Sequence, residues 1–318
     1  MIRLTSGSIL EDRILYQRDY EHAIVVEPGS EEVTIRNVTL TFDLDIQDGF
    51  TTPTACGIYA PLVNRLTIEN VTIHGAIGCG IQIGESGPRR IQNLTIRNCF
   101  MRGGMMGAYP KGGMHKDILL YGQHFTNINV TENVCLSSND SGIAIIGNGH
   151  PGLLTNAMIA SNVCDGHNRH GIVVTYGSMA AVSVRVGYNT CSKNNWAGIY
   201  KATNPDIAPW EQERDNLMEH NRCWENGTGL PGDKASDPGK TIRGGIVGSF
   251  MRDWVLRENV CGYNGRGGNL TGQYAAGIRV RGERVVIEAN NTFIENEGGD
   301  INVWQHPNPS NGIIIEKR

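Results

Sequence analysis

One dipeptide recurs along this chain at drifting intervals, and it constrains the fold more than any other feature. A Gly-Ile pair occurs seven times between residues 57 and 278, at Gly57-Ile58, Gly80-Ile81, Gly142-Ile143, Gly171-Ile172, Gly198-Ile199, Gly245-Ile246 and Gly277-Ile278. An asparagine stands nine residues before several of them, and Asn291 stands nine before the pair Asp300-Ile301. Two features at a fixed offset, with a variable distance between copies, are typical of stacked repeats that carry insertions.

The segments around these pairs alternate apolar and polar residues, which is the period of a β-strand. Where no insertion intervenes, successive pairs lie 23 to 32 residues apart, which suits a coil of three short strands. A single coil cannot bury its inner face, so coils must stack and pair in parallel. The pattern predicts an all-β, single-domain, right-handed parallel β-helix of about nine to eleven rungs, with the isoleucines in an inward column and the asparagines in a hydrogen-bonded column at a turn.

The repeat also suggests where the regular structure is interrupted. Residues 26–318 are predicted to form the β-helix. Residues 1–25 are predicted to be an irregular N-terminal segment or partial cap, with a start within the solenoid as the alternative. Longer distances between repeat features predict loop insertions near 43–56, 107–125, 204–243 and 263–275. One coil, expected at residues 107–110, lacks the isoleucine.

The eight cysteines follow the repeat rather than a disulfide framework. Most stand two residues after a repeat asparagine, a position that Thr39, Thr72, Phe100 and Phe293 hold in other copies. A position shared by cysteine, phenylalanine and threonine is a buried packing position, so we expect reduced thiols that act as small hydrophobic side chains. Neither a CxxC motif nor a Cys/His cluster is present, and we predict no metal and no cofactor.

Composition excludes several classes of partner. The net charge is −4 and no apolar run approaches the length of a membrane span, so neither nucleic-acid binding nor membrane insertion is expected. The first residues contain no hydrophobic signal core. Oligomeric state is left open between a monomer and a homotrimer.

The residue after each inward isoleucine should point outward and line one face of the stack. In chain order these residues are Tyr59, Gln82, Ala144, Val173, Tyr200, Val247, Arg279 and Asn302. Because insertions flank the same strand, we expect this face to be the floor of a groove. Aromatic rings, amides and arginines spaced along such a floor suit a sugar chain, although an ordinary solvated sheet face would show the same alternation.

Four residues depart from their columns near the middle of the chain. His170 directly precedes a glycine, and Asp140 and Arg169 stand two residues before one, where small residues are more common. Lys201 falls in a column that is otherwise apolar, so it must either lose its hydration or bend the strand outward. Since His170, Asp140 and Lys201 belong to three adjacent coils, we expect them to converge within about 10 Å.

The segments that hold these residues resemble two groups of the pectate-lyase-like superfamily. Asn-Arg-His-Gly-Ile at 168–172 is similar to the histidine-glycine strand of alginate C5-epimerases. Asn-Asp-Ser-Gly-Ile-Ala-Ile at 139–145, Arg-His-Gly-Ile at 169–172 and Gly-Ile-Tyr-Lys-Ala-Thr at 198–203 are similar, in order, to the carboxylate, histidine and basic strands of polygalacturonases. The resemblance covers about residues 25 to 315.

The resemblance implies a protein that acts on an acidic, uronic-acid-containing polysaccharide by β-elimination or C5-epimerisation, outside the cell or on a phage virion. A polygalacturonase-like hydrolase and a non-catalytic binding or spike module remain as alternatives. The predicted catalytic residues are His170, Lys201, Asp140, Tyr200 and Tyr176. The predicted substrate-binding residues are Arg169, Arg243, Arg279, Arg281, Tyr59, Gln82 and Trp304.

Overall fold

The computed structural model describes eight parts of the chain, residues 1–18, 21–43, 55–87, 90–102, 115–228, 243–265, 276–303 and 312–316. In chain order, the first strands are β1 (Ile2–Leu4), β2 (Ile9–Gln17), β3 (Ile24–Val26), β4 (Ser30–Phe42), β5 (Ile58–Ala60), β6 (Val63–Glu69), β7 (Thr72–His74), β8 (Ile81–Ile83), β9 (Arg90–Arg97), β10 (Phe100–Arg102), β11 (Ile118–Gly122), β12 (His124–Thr131), β13 (Val134–Leu136) and β14 (Ile143–Gly147). The others are β15 (Gly152–Ala160), β16 (Val163–Asp165), β17 (Ile172–Gly177), β18 (Met179–Gly187), β19 (Thr190–Ser192), β20 (Ala197–Thr203), β21 (Asn216–Glu219), β22 (Arg222–Trp224), β23 (Gly244–Arg257), β24 (Val260–Gly262), β25 (Ile278–Ile287), β26 (Thr292–Ile294), β27 (Ile301–Val303) and β28 (Ile313–Ile315). One 3₁₀ turn, Trp210–Gln212, is the only helical element of the described residues, and none of their helices is long and apolar enough to cross a membrane.

The strands form three parallel sheets wound into one solenoid, as the repeat predicts. The isoleucine sheet consists of β1, β3, β5, β8, β11, β14, β17, β20, β27 and the first parts of β23 and β25. The long sheet runs through β6, β9, β12, β15, β18, β21, the later parts of β23 and β25, and β28. The short sheet runs through β7, β10, β13, β16, β19, β22, β24 and β26, and β2 and β4 contribute to both sheets. Each strand pairs with its equivalent in the next coil, so the expected fold class is confirmed.

An inward column of isoleucines confirms the predicted number of rungs. In register, the column contains Ile2, Ile24, Ile58, Ile81, Ile118, Ile143, Ile172, Ile199, Ile246, Ile278 and Ile301. Nearly all are fully buried. The preceding glycine is required by close packing, because a Cβ on Gly198 would lie 2.8 Å from Asn226 Nδ2 and 2.9 Å from Gly245 O.

The chain begins in regular structure, and the missing rung lies later than predicted. Strands β1 and β2 pair in register with β3 and β4, so the described part of residues 1–25 belongs to the solenoid. Residues 107–110, where a coil was expected, lie outside the described residues. Between the coils of Ile81 and Ile143, the column position is held by Ile118, with Asp117 in the glycine column. Strand β11 therefore occupies part of the insertion predicted near 107–125, and β21 and β22 occupy part of that predicted near 204–243.

The asparagine column forms as predicted, and its buried amides close a turn of each coil. In register it contains Asn133, Asn162, Asn189, Asn221, Asn259 and Asn291. Asn189 shows the pattern: its Nδ2 donates to Ile159 O at 2.9 Å and to Asn221 Oδ1 at 2.9 Å. In an earlier coil the column holds Cys99, whose backbone N–H donates to Asn133 Oδ1.

A second buried amide ladder, which the spacing did not predict, closes another turn. It consists of Asn194, Asn226, Asn264 and Asn296, and His167 precedes it with its backbone N–H donating to Asn194 Oδ1.

All eight cysteines are free and buried. Five of them, Cys135, Cys164, Cys191, Cys223 and Cys261, stack in register in the short sheet, with Phe293 next in the column. In the earlier coils the same column holds Leu40, Ile73 and Met101, one residue later than the predicted Thr39, Thr72 and Phe100. The column is the apolar packing position that the sequence predicts, shifted by one residue in those coils.

Candidate functional site

A groove of about 400 Å³ lies on the outer face of the isoleucine sheet, across β11, β14, β17 and β20. Two residues of the predicted outward column, Val173 and Tyr200, which pair in register, lie on its floor. The lining residues are Lys116, Tyr121, Asp140, Ser141, Ile146, Gly147, Gly149, Arg169, His170, Val173, Tyr176, Gly177, Ser178, Trp196, Tyr200 and Ile207.

Two short columns at the start of the strands supply the polar side of this groove. The first column is the residue directly before the glycine position of each coil, and in successive coils it contains Lys116, Ser141, His170 and Ala197. The second column is one residue earlier, and in the same coils it contains His115, Asp140, Arg169 and Trp196. Because parallel strands in register keep equivalent residues about 4.8 Å apart, these side chains meet across neighbouring coils.

Asp140 is the centre of an ion-paired cluster. Its Oδ2 lies 3.1 Å from Lys116 Nζ and 3.2 Å from an Arg169 guanidinium nitrogen, and Ser141 Oγ donates to its Oδ1 at 2.8 Å. Asp140 and Lys116 are buried, whereas the Arg169 side chain is 49% exposed. Burial alone would raise the pKa of Asp140, but the two cations and the hydrogen bonds outweigh it and lower that pKa. Asp140 is therefore ionised at neutral pH and does not serve as a general acid there.

His170 is a neutral ring in the wall of the groove. It stacks on Tyr200, with ring centroids 4.6 Å apart, and its edge meets Trp196 at 5.2 Å. Burial lowers the pKa of His170 to about 3, with Asp140 opposing the shift and the neighbouring cations adding to it. Its Nδ1 accepts the backbone N–H of Ala197 at 3.3 Å, so we assign the proton of the neutral ring to Nε2. His170 is thus a hydrogen-bond donor rather than a base.

Aromatic side chains complete the walls. Tyr176 is 46% exposed, and its ring lies 6.1 Å from that of the buried Tyr200. Burial, assisted by Tyr176, raises the pKa of the Tyr200 hydroxyl, which therefore stays protonated. The Arg169 guanidinium lies 5.0 Å from the centre of the Trp196 ring. Exposed ring faces beside a partly exposed guanidinium suit a sugar that carries an acidic group.

A β-bulge in β17 precedes Tyr176. Between Val174 and Gly177 this strand contains one residue more than its neighbour β20, and the same shift occurs against β14. Thr175 lies in the bulge at φ +49°, fully buried, with its Oγ1 unpaired among the described residues. A β-branched residue with positive φ is strained, and such bulges often re-aim a side chain beside a functional site.

Lys201 does not join the groove, which corrects the prediction that it would converge with His170 and Asp140. Lys201 loses its hydration and does not bend the strand outward. Strand β20 alternates, so Tyr200 points outward and Lys201 inward, where it is fully buried. Its ammonium lies 2.7 Å from Glu213 Oε1 and donates to Phe250 O at 2.5 Å. Burial lowers the pKa of Lys201, and Glu213 opposes that shift.

Two predicted binding residues lie on the same face but outside the groove, in earlier coils. Tyr59 stacks on His22 with centroids 4.4 Å apart and donates to Glu85 at 3.2 Å. Gln82 Oε1 accepts a hydrogen bond from Cys56 Sγ at 3.5 Å.

Three of the four predicted arginines lie in later coils, and two of these three are buried. Arg243 and Arg279 are buried, while Arg281 is partly exposed with its guanidinium 3.5 Å from the centre of the Phe250 ring. Trp304 lies outside the described residues. Of the predicted site residues, the groove therefore brings together His170, Asp140, Arg169, Tyr176 and Tyr200.

The groove residues that the sequence analysis missed include Lys116, Tyr121, Trp196 and Ile207. Trp196 stands two residues before a glycine, as Asp140 and Arg169 do, so the repeat could have identified it. Lys116 was missed because its coil has aspartate in the glycine column.

One group among the described residues has the spacing of metal ligands. Glu219, His220 and Glu258 place ligand atoms within 4.8 Å of one another. Glu219, however, already forms ion pairs with Arg185 and Arg257. The group lies at the turn that follows the long sheet and lines no part of the groove.

The chain matches a family model described as "Right handed beta helix region" over residues 22–209. No curated protein sequence matches it. Among solved structures it is similar to the Dettilon tailspike protein (gp208), with 14% identity over 95% of this chain and 60% of that chain and a TM-score of 0.45. It is also similar to the A-module of mannuronan C-5 epimerase AlgE4 from Azotobacter vinelandii (13% identity, 99% and 88% coverage, TM-score 0.43) and to the GH136 lacto-N-biosidase from Eubacterium ramulus (12%, 98% and 54%, 0.45). The chain thus spans little more than half the length of the tailspike and the lacto-N-biosidase.

Proposed function

We propose that this chain, which belongs to the right-handed β-helix family, acts on an acidic polysaccharide by removing the proton beside a uronate carboxylate, leading to β-elimination or C5-epimerisation. The observation that carries the proposal is the charge of the groove. Lys116 and Arg169 face a single carboxylate, Asp140, so the polar side has a surplus positive charge although the chain as a whole carries −4. A low-dielectric groove with that surplus favours an anionic sugar.

Arg169 is the residue best placed to bind the substrate carboxylate. Half of its side chain is exposed, and its guanidinium contacts Asp140 through one nitrogen at 3.2 Å, which leaves other N–H groups for a second carboxylate. Lys116 is buried behind it and keeps Asp140 neutralised. Pairing a uronate carboxylate with a cation makes the adjacent C–H more acidic and stabilises the enediolate-like charge that forms when the proton leaves.

Three ring side chains can then handle the proton and the developing charge. His170 offers its Nε2–H, and Tyr200 offers a hydroxyl that stays protonated, so both suit hydrogen bonding to the substrate carboxylate or ring oxygens. Tyr176, the most exposed of these three rings, is the candidate for proton transfer, in which its deprotonated oxygen accepts the C5 proton. Lys201 has no part in this chemistry, since it lies on the inner side of β20.

Inverting hydrolysis is a weaker candidate because it needs two carboxyl groups about 6.5–9.5 Å apart, one of them protonated. Among the described lining residues, Asp140 is the one carboxylate, and its lowered pKa keeps it charged. Binding without turnover is the second candidate, since the exposed ring of Tyr176 and the half-buried ring of Trp196 would hold a sugar chain without any proton transfer.

The test is a panel of alginate, pectate, glycosaminoglycans and capsular polysaccharides in deuterated water. A lyase produces new reducing ends together with the ultraviolet absorbance of an unsaturated uronate, and an epimerase incorporates deuterium at C5, detected by NMR. New ends without either signal would indicate a hydrolase and contradict the proposal. Affinity without any of the three signals would indicate a binding module.

A further inference from the structure

Two aromatic side chains and two arginines form a second surface on the isoleucine-sheet side, next to the groove. Arg281 stacks its guanidinium on Phe250, and the Arg252 guanidinium lies 5.3 Å from the centre of the Trp210 ring. Trp210 Nε1 donates to Phe250 O at 3.0 Å, which joins the two pairs. All four side chains are partly exposed.

This surface is continuous with the groove. Arg281 is close enough to Tyr200 for each to affect the other's pKa. Ile207, which lines the groove, belongs to the same short connection after β20 as Trp210. A ligand that leaves the groove past Tyr200 therefore meets the two arginines next.

The buried ion pair Lys201–Glu213 binds the main chain beneath this surface. Lys201 Nζ donates to the carbonyl of Phe250, and Glu213 Oε2 accepts the backbone N–H of Arg252 at 3.0 Å. Phe250 occupies a bulge of β23 at φ +54°, which turns its carbonyl inward while its ring faces out. One interior ion pair thus fixes the carbonyl of Phe250 and the backbone N–H of Arg252. The side chains of both residues lie on the outer surface beside the groove.

We infer that Trp210, Phe250, Arg252 and Arg281 form a second subsite, which takes another acidic sugar of the same polysaccharide chain. The inference rests on the proposed function, because it assumes that the groove binds an acidic sugar. Ring faces bind a sugar ring and guanidinium groups bind its carboxylate, and the interior ion pair keeps both in place before the ligand arrives.

The position of the subsite sets a minimum length for the ligand. The two arginines lie on β23 and β25, one and two coils from β20, so they are on the order of 5 and 10 Å from Tyr200 along the stack. A disaccharide seated in the groove does not reach them, whereas a longer oligomer does. Affinity should therefore rise with chain length.

The experiment measures dissociation constants of oligogalacturonates and oligomannuronates, as disaccharides and as hexasaccharides, by calorimetry. The test variant is Arg252→Gln/Arg281→Gln. The matched control is Arg222→Gln, since Arg222 forms the same kind of contact with Trp224, at 4.8 Å, on the short sheet. Because each bond to a charged group contributes about tenfold in affinity or more, the double variant should bind hexasaccharides at least tenfold more weakly, with disaccharide binding unchanged.

Equal hexasaccharide affinity for the double variant and the Arg222→Gln control would overturn the subsite while leaving the groove proposal intact. An equal loss for disaccharides and hexasaccharides would also overturn it, because the arginines would then act on the groove itself. If the unmodified protein bound neither acidic oligomer, the proposed function would fail, and this inference with it. Circular dichroism of each variant excludes unfolding as the cause of lost affinity.

Discussion

Replacing Lys201 with methionine should destabilise the protein severely, because it leaves a buried carboxylate without its counter-ion. Glu213 is fully buried and accepts hydrogen bonds from Lys201, from Thr203 Oγ1 at 2.9 Å and from Trp254 Nε1 at 3.3 Å, besides two backbone amides. Removing one partner of a buried pair costs about 3–5 kcal/mol. Since domains are stable by about 5–15 kcal/mol, that loss is a large fraction of the total.

A second substitution separates charge from packing. In Lys201→Met/Glu213→Gln both charges are gone, and replacing a whole buried pair is often close to neutral, so we expect the double variant to recover to within about 1–2 kcal/mol of the unmodified protein. Arg36→Met serves as the control, since it breaks the exposed pair with Glu11 and should cost at most about 1 kcal/mol. Urea denaturation followed by tryptophan fluorescence and circular dichroism gives the three free energies of unfolding.

Two results would refute this reasoning. A Lys201→Met variant no less stable than Arg36→Met would mean that the ion pair contributes little. A double variant as unstable as the single one would mean that shape or hydrogen bonding, rather than the unpaired charge, carries the effect.

Three further outcomes are expected. Tyr176→Phe should lower kcat by about 10²-fold or more on the substrate found in the polysaccharide panel, because it removes the proton-transferring hydroxyl. KM should change little, because the ring remains. An unchanged kcat would assign proton transfer to another group. His170 has a pKa of about 3 in the folded protein, below its ordinary 6.5, so as the pH falls the unfolded chain protonates this histidine first. The neutral His170 therefore contributes its full stability above pH 6.5, and this contribution is lost as the pH falls towards 3. In His170→Phe the free energy of unfolding should therefore fall less steeply across that window, as acid titrations of urea midpoints would show, and parallel curves for the two proteins would contradict the depressed pKa. Asn189→Ala removes the acceptor for Asn162 and two donated hydrogen bonds from the buried ladder, so it should lower the free energy of unfolding in urea by about 2–5 kcal/mol. The control Asn156→Gly, at an exposed left-handed turn, should lower it by less than about 1 kcal/mol. Similar losses in the two variants would mean that the buried ladder is not specifically stabilising.

Periodicity was sufficient to predict the solenoid because each coil repeats the same local requirements. Glycine is needed where an amide ladder approaches the backbone, isoleucine where the interior is apolar, and asparagine where a buried turn needs donors and an acceptor. The prediction was wrong where a coil meets those requirements differently. Asp117 stands in the glycine column, and Cys99 stands where later coils have asparagine, so a search for the motif passes over both.

The site was predictable as far as it follows the same columns. His170, Asp140, Arg169 and Tyr200 were found because each departs from a column or faces outward from it. Lys201 also departed from its column, but its direction depends on Glu213, which lies in a connection that no repeat spacing places. A lysine in an apolar column predicts a buried partner somewhere in the chain, and the spacing does not say on which side of the sheet that partner lies.

Each of the two buried amide ladders has an electrical direction of its own. In each ladder every Nδ2 donates to the Oδ1 of the asparagine in the next, higher-numbered coil, so the side-chain dipoles point the same way. Hydrogen bonds in such a chain polarise one another, which strengthens the inner members relative to those at the ends. One ladder starts at Asn133 and the other follows His167, both in coils that carry the groove. The groove therefore lies at the end of the ladders towards which the amide oxygens point, and a reversed stack of the same coils would not be equivalent to this one.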